Sequence, residues 1–396
     1  MKRRIVLVFD ILPHPEAGGL SVTYQALIPL LQDRYDFCII SVFNCGYTQN
    51  ERYPDTPIIN LFRHHTDIRY AKIKPLLKQG HLLQVLNILY SIFLYLAAAP
   101  AAGRRMKKHL RSDDILIAVS PAAARFIPKA RTFILEVHVF YEYFFGKNKL
   151  GRIQASLMKK PALTIFRTKA DMKKAMPTMN AHYVYNFFDE TKYDSLLQID
   201  APTRSHRILF MGRLNTQKNP ERMLRCAEAL KKRGVAFQLD IYGTGPKEEK
   251  MREWIRSHDL TSCVAMKGFT KDKTIYNQYA LHWQTSDFEG LSLSIIEAKA
   301  FGVPTISTDW GPGVYEVIHD GQDGYICQSE DQFVQKTAEL LNDRERMRAM
   351  SYAAKQNAAE FGKTQARRHW LYILENAEKG NYQLEENWNE TTCNRI

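Results

Sequence analysis

The chain has 396 residues, 45% hydrophobic and 24% charged, with a formal net charge of +13. This is the composition of a folded globular protein too long for one core of ordinary size, so it excludes wholesale disorder and implies two domains. The charge is uneven: residues 1–185 hold 27 Lys+Arg against 12 Asp+Glu, and the remainder 28 against 30. Such a basic half either meets something anionic (a membrane surface, a phosphorylated acceptor or a nucleic acid) or is a solvated surface.

The start, MKRRIVLVFDILPHPEAGG, is basic and then apolar, but Asp10 interrupts the run and no small-residue cleavage site follows, so it reads as a buried first strand. RIVLVFDIL (4–12), a Gly18-Gly19 loop, LSVTYQALIPLLQDR (20–34) and FCIISVFN (37–44) form a strand, loop, helix and strand. At Gly18-Gly19 the missing Cβ atoms either allow backbone approach to a phosphate or sugar, or serve a tight turn. HLLQVLNILYSIFLYLAAA (81–99) is the candidate for membrane insertion, but Gln84, Asn87 and Ser91 interrupt the roughly 20 apolar residues a span needs. It reads as a buried or interfacial helix, and GRRMKKHLR (103–111) after it suits adsorption to an anionic bilayer or, equally, a solvated turn after a core helix.

Strand-like runs follow at 114–120, 131–140, 162–168 and 181–187. His138, in LEVHVF, falls at the end of one of them with Glu136 on the same side, and is either a satisfied core histidine or a sugar contact. Polar residues 189–206 suit a linker. From 206 onward six strands alternate with helices, at 206–214, 237–243, 264–269, 281–286, 303–309 and 324–328, the pattern of a doubly wound parallel sheet. Asn219-Pro220 opens one helix and Ser329 with Gln332 another. The expected domains are residues 1–188, a linker 189–205, residues 206–362, a helix 363–380 that can pack back on the first domain, and a polar tail 381–396. Ligands of doubly wound sheets bind beyond the carboxyl ends of the strands, so a cleft between the two halves is the expected site.

The stretch DFEGLSLSIIEAKAFG (287–302) follows a strand. A helix starting near Leu291 leaves Glu289 on the loop and puts Glu297 inside the helix. At 1.5 Å per residue Glu297 then lies about 9 Å from the free N–H groups of residues 291–293, roughly the reach from a diphosphate to the ribose hydroxyls of a nucleotide. A diphosphate would use those N–H groups and the positive end of the helix dipole, with Glu297 accepting from ribose and Glu289 from an attached sugar. The loop GRLNTQKN adds Arg213, a planar fork for phosphate oxygens, and Lys218, a point charge. An E-x7-E pair alone is common; its place after a strand and before Gly302 narrows it.

No D-x-D, P-loop, G-x-S-x-G or H-E-x-x-H motif occurs, and the six cysteines include no C-x-x-C. No metal site or cofactor is expected, and the cysteines read as reduced thiols of a cytosolic protein.

These residues resemble glycosyltransferase family 4, retaining enzymes of the GT-B fold, in FEGLSLSIIEA, GVPTISTDWGPGVYEVIHDGQDGYI, MGRLNTQKN, YGTGP, PEAGGLS and VYNFFD. The resemblance implies an α/β protein of two Rossmann-like domains and a hexosyl transfer with retained anomeric configuration, by front-face attack with the phosphates as base. It places Glu297 on the ribose, Glu289 on the donor sugar, Arg213 and Lys218 on the diphosphate, Gly290, Leu291 and Ser292 at the donor, Gly18 and Gly19 beside the donor phosphate, and His138 on the donor sugar. The catalytic set would be Glu289, His138, Arg213 and Lys218, with no metal. The implied donor is a UDP-sugar or other nucleotide-sugar, and the acceptor a membrane-associated glycan such as lipopolysaccharide core or a capsule precursor. The expected place is the inner face of the cytoplasmic membrane, reached through the basic first half, without nucleic acid. The rivals are a UDP-sugar epimerase of the same shape, which would need carboxylates poised for elimination, and a nucleic-acid-binding protein, for which no helix-turn-helix or aromatic-basic pattern is present.

Overall fold

A computed structural model describes residues 2–12, 19–44, 53, 55–63, 73–146, 149–192 and 206–385. The chain divides into two compact units, one of Met1–Phe166, Met172–His182 and Trp370–Ile396, the other of Arg167–Asp171 and Tyr183–His369.

The first unit is built on a seven-stranded sheet of order β3-β2-β1-β4-β5-β6-β7. Its strands are β1 (Arg3–Ile11), β2 (Tyr35–Phe43), β3 (Ile58–Phe62), β4 (Ile115–Ala118), β5 (Ile134–Glu136), β6 (Leu163–Phe166) and β7 (Ala181–Tyr183). β1 pairs in parallel on both sides, Ile5 facing Phe37 and Ile115. Covered on both faces, Ile5–Phe9 is a continuous apolar run with no more than 1% exposure, as parallel central strands require. The edge strand β3, in TPIINLF, is not among the runs read as strands from the sequence.

β5 is shorter than the apolar run 131–140 and stops at Glu136, so His138 lies two residues past the strand rather than at its end. The helices Leu82–Ala97 and Ala99–Lys107 meet at a 54° bend, and among the described residues no single helix is long and apolar enough to cross a membrane. The last turns of the helix Lys363–Glu378 are tied within this unit, Arg34 Nη2 to Glu375 at 3.0 Å and Arg3 Nη1 to the Glu378 carbonyl at 3.0 Å.

The second unit holds the expected six strands, β8 (Arg207–Met211), β9 (Gln238–Tyr242), β10 (Val264–Gly268), β11 (Leu281–Gln284), β12 (Thr305–Thr308) and β13 (Gly324–Cys327), in the order β10-β9-β8-β11-β12-β13. The order reverses at the β8/β11 neighbours, the switch point of a doubly wound sheet, where the connections leave in opposite directions and open a crevice at the carboxyl ends. Its core packs Ile208, Phe210, Leu239, Ile241 and Trp283 against Met223, Leu230 and Phe333 of the covering helices.

Candidate active site

The residues that the sequence singles out in the second unit converge beyond the carboxyl ends of β8 and β11. Gly212 follows β8, and a Cβ there would sit 3.2 Å from Lys218 Cε, so its missing side chain makes room for the lysine stem. Gly243, at φ 144, backs onto the Gly212 carbonyl, where any Cβ would collide. The MGRL and YGTGP loops are thus glycine-rich because their backbones touch.

Asn219 adopts a left-handed conformation (φ 44) and caps the helix Pro220–Lys232 by accepting from the Arg222 N–H. Its Nδ2 donates to Asp287 Oδ1 at 2.9 Å, and the Asp287 N–H to the Gln217 carbonyl at 2.9 Å. Arg222 adds a 3.0 Å ion pair to Asp287. The two loops that carry Lys218 and Glu289 are therefore fastened together.

Glu289 is 9% exposed and fully engaged. Its Oε1 accepts from Lys218 Nζ at 2.7 Å, Ser286 Oγ at 2.7 Å and Gln284 Nε2 at 3.2 Å; its Oε2 accepts from Gln217 Nε2 at 3.1 Å. Gly290 turns its carbonyl toward Gly313, where a Cβ would lie 2.5 Å away. The Leu291 carbonyl accepts from Asn186 Nδ2 at 2.8 Å, while Asn186 Oδ1 is buried with no partner among the described residues.

The helix begins two residues later than the sequence implied: Ser292 is its N-cap and Leu293–Ala300 its body. Leu291 is kept out of it, its carbonyl turned to Asn186 rather than up the helix. The free N–H groups are then those of residues 293–295, and Glu297 lies about 6 Å along the axis from the first of them instead of about 9 Å. Ser292 Oγ pairs with Ser294 Oγ at 3.0 Å, and Ser294 Oγ donates to Gln284 Oε1 at 3.0 Å, so buried Gln284 bridges Glu289 and the first helical turn.

Glu297, 7% exposed, accepts at Oε2 from Lys273 Nζ at 2.8 Å and from the Tyr276 hydroxyl at 2.9 Å. Tyr276 is buried flat against Phe301, rings 5.7 Å apart, and burial beside the Glu297 charge raises its pKa well above the ordinary value, keeping it a neutral donor. Each glutamate is thus matched by one lysine. Arg213, exposed on the loop after β8, makes no ion pair among the described residues, and partial enclosure lowers its pKa.

Together these groups make an arrangement suited to a polyhydroxylated anion: an open helix N-terminus flanked by two fixed carboxylates, with a cation beside them. Lys273, Tyr276 and Gln284 are not legible as partners, because they come from separate elements and match no motif; Asn186 lies inside the quoted VYNFFD, but nothing in that stretch names Leu291 as its partner. Gln217 lies inside the quoted GRLNTQKN.

The first-unit candidates are described separately. Gly18 lies outside the described residues, and Gly19 is the first residue of the helix Gly19–Leu31. His138 Nε2 is 3.1 Å from the Tyr24 hydroxyl and 3.4 Å from Glu136 Oε2, and burial pulls its pKa down to about 3, so the ring is neutral. Among the described residues no cluster of three His, Cys, Asp or Glu could hold a metal ion.

Residues 197–357 match the family of glycosyl transferases group 1. The chain is 25% identical over 278 residues to an uncharacterized glycosyltransferase of Haemophilus influenzae, covering 68% of this chain and 78% of the relative. It is 29% identical over 243 residues to the amylovoran biosynthesis glycosyltransferase AmsD of Erwinia amylovora, covering 60% and 68%. In structure it is similar to a variant of S. aureus TarM solved with fondaparinux, alpha-GlcNAc-glycerol and UDP, with TM-score 0.73 and 15% identity over 94% of this chain and 99% of that one. The fold is GT-B, two α/β units each on a parallel sheet. With the matched domain and the named relatives, it defines the chain as a GT-B glycosyltransferase.

Proposed function

We propose that the protein is a retaining hexosyltransferase of family 4 that draws on a nucleotide sugar, a UDP-sugar first of all, and glycosylates a hydroxyl of a membrane-associated glycan of the lipopolysaccharide or capsule kind. The observation that carries the reading is the pair of buried glutamates on either side of one helix N-terminus, each held by a lysine at 2.7–2.8 Å. In this reading the diphosphate takes the N–H groups after Ser292 with Arg213, Glu297 takes the ribose hydroxyls, and Glu289 the hydroxyls of the sugar. Lys218 neutralises the leaving group, so no metal is required.

The bond from the sugar carbon to the diphosphate oxygen breaks as the bond to the acceptor oxygen forms on the same face, and the acceptor proton passes to the departing phosphate. The roles given to Gly18, Gly19 and His138 are proposals of the same standing. The UDP in the TarM complex supports the donor class, and the amylovoran in the name of AmsD supports transfer onto a glycan. The enzyme would work at the inner face of the cytoplasmic membrane, drawn there by the basic first half. The named relatives are transferases, which does not favour the epimerase.

A thermal-shift panel of UDP- and GDP-sugars tests the donor, since a ligand that binds the native state raises its melting temperature. A shift with UDP-sugars is expected, followed by transfer that survives a chelator and gives the donor's anomeric configuration in the product. No shift with any nucleotide sugar, or interconversion of UDP-sugars without an acceptor, would overturn the reading.

A further inference from the structure

The helix Leu82–Ala97 presents three different faces. Val85 and Ile88 are buried, and Tyr95 stacks on Phe43 with rings 5.5 Å apart while its hydroxyl donates to Asp10 Oδ2 at 3.0 Å, which fixes one face to the unit. From Leu82 to Leu96 a second face stays bare: Leu83, Leu86, Leu89, Tyr90 and Phe93 are 47–82% exposed. Gln84, Asn87 and Ser91 follow i, i+3, i+7 spacing, so they gather on one strip and leave the bare arc uninterrupted. The polar residues that break up the segment as a span therefore do not break up its exposed surface.

In sequence, the segment that carries this arc bears charge of one sign. Residues 68–112 contain nine Lys or Arg and no Asp or Glu. Beyond the 54° bend, Arg104, Lys107 and Lys108 are exposed and make no ion pair among the described residues.

We propose that the arc is sunk into the interface of an anionic bilayer, with the helix lying in the membrane plane and Arg104, Lys107 and Lys108 among the headgroups. A span by this helix alone is excluded by reach, and a span continued through the bent helix Ala99–Lys107 by anchorage and by the charges of Arg104, Arg105 and Lys107 that it would carry into the hydrocarbon. Sixteen residues rise about 24 Å against a hydrocarbon thickness of about 30 Å, and the opposite face is committed to the unit. A second copy on the same arc would bring two acid-free cationic segments together, whereas anionic headgroups complement them. The inference rests on the membrane location proposed above and changes its mode from charge adsorption to insertion. Adsorption alone is screened away by salt, whereas buried apolar side chains hold.

The test is flotation of the full chain with phosphatidylcholine vesicles, with and without phosphatidylglycerol, at low salt and at about 1 M salt, where the screening length is about 3 Å. Expected are capture that needs phosphatidylglycerol at low salt and, once formed, resists 1 M salt; at least a tenfold loss of the bound-to-free ratio for Leu86→Ser/Phe93→Ser; and loss of the initial capture for R104Q/K107Q/K108Q. Thermal melting of both variants should match the native chain, because the changed side chains are exposed. Full binding by the Leu86→Ser/Phe93→Ser variant, complete release by salt, or a native dimer that this variant converts to monomer would overturn insertion. UDP-sugar binding by the same variants should be unchanged; its absence from the native chain would sink the donor reading and leave the flotation result standing.

Discussion

The two units use their polar groups in opposite ways. In the second, nearly every polar atom around the candidate site is tied to another: Glu289 has four donors, Glu297 two, and the loops are fastened through Asn219, Arg222 and Asp287. In the first, the candidate His138 leans on Tyr24 and Glu136, while the helix Leu82–Ala97 leaves its apolar arc bare and Arg104, Lys107 and Lys108 after the bend make no ion pair among the described residues. A site whose groups must hold fixed positions around a small ligand is preorganised, whereas a surface that meets a large, deformable partner needs only the right chemistry.

The sharpest way to break this contrast is Glu289→Gln. It should lower kcat by about 10²- to 10³-fold while leaving UDP affinity near the native value, as steady-state kinetics with calorimetry would show. A loss of affinity equal to the loss in kcat/KM would make Glu289 a plain binding group. Glu297→Ala removes a charged acceptor, expected to weaken UDP binding by about 10- to 100-fold with a small change in kcat.

Gly313→Ala should push the Glu289–Gly290 loop aside, since the new Cβ meets the Gly290 carbonyl at 2.5 Å. Overpacking of this kind costs about 1–3 kcal/mol, read as a lower melting temperature together with weaker UDP binding. Tyr276→Phe keeps the ring stack and deletes one hydrogen bond to Glu297, so a loss of affinity of about 2- to 10-fold is expected without change in kcat. An effect on kcat alone would place Tyr276 in the chemistry instead.

Acid offers a comparison in which the units should agree. His138 in the first is half-buried and His282 in the second fully buried, and desolvation lowers each from 6.5 to about 3. Because the folded value lies below the unfolded one, the unfolded chain takes up protons first. The stability is fully present above pH 6.5 and is lost as pH falls from there toward about 3. Melting temperatures across that window should fall, and His282→Leu should flatten the fall for the second unit; an unchanged slope would remove His282 from the account.

Much of this molecule is legible in its sequence, unevenly. All six strands of the second unit announce themselves because each is an apolar run bounded by turn residues, and Glu289, Glu297 and Lys218 stand where the motifs put them. β3 escapes although four of its five residues, IINLF, are apolar: the run is short, Asn60 interrupts it, and no helix-period segment sets it off from β2. The late helix start escapes because it depends on Asn186, more than a hundred residues away in sequence from the Leu291 carbonyl it holds. The bare face of Leu82–Ala97 escapes for another reason: an apolar helix reads the same whether its far side meets protein or not.

Two residues after Glu297, the helix is locked. Lys299 is buried, donating to the Val317 carbonyl at 2.7 Å and pairing with Asp323 at 3.0 Å. A charge anchored inside the unit sets the rotation of the whole helix, so Glu297 cannot be retuned by a small turn of its backbone. Diversification of such a scaffold, by mutation or by design, would have to run through the loops at Arg213 and Glu289, leaving the Glu297 end, which the proposal gives to the ribose, as the constant part of the site.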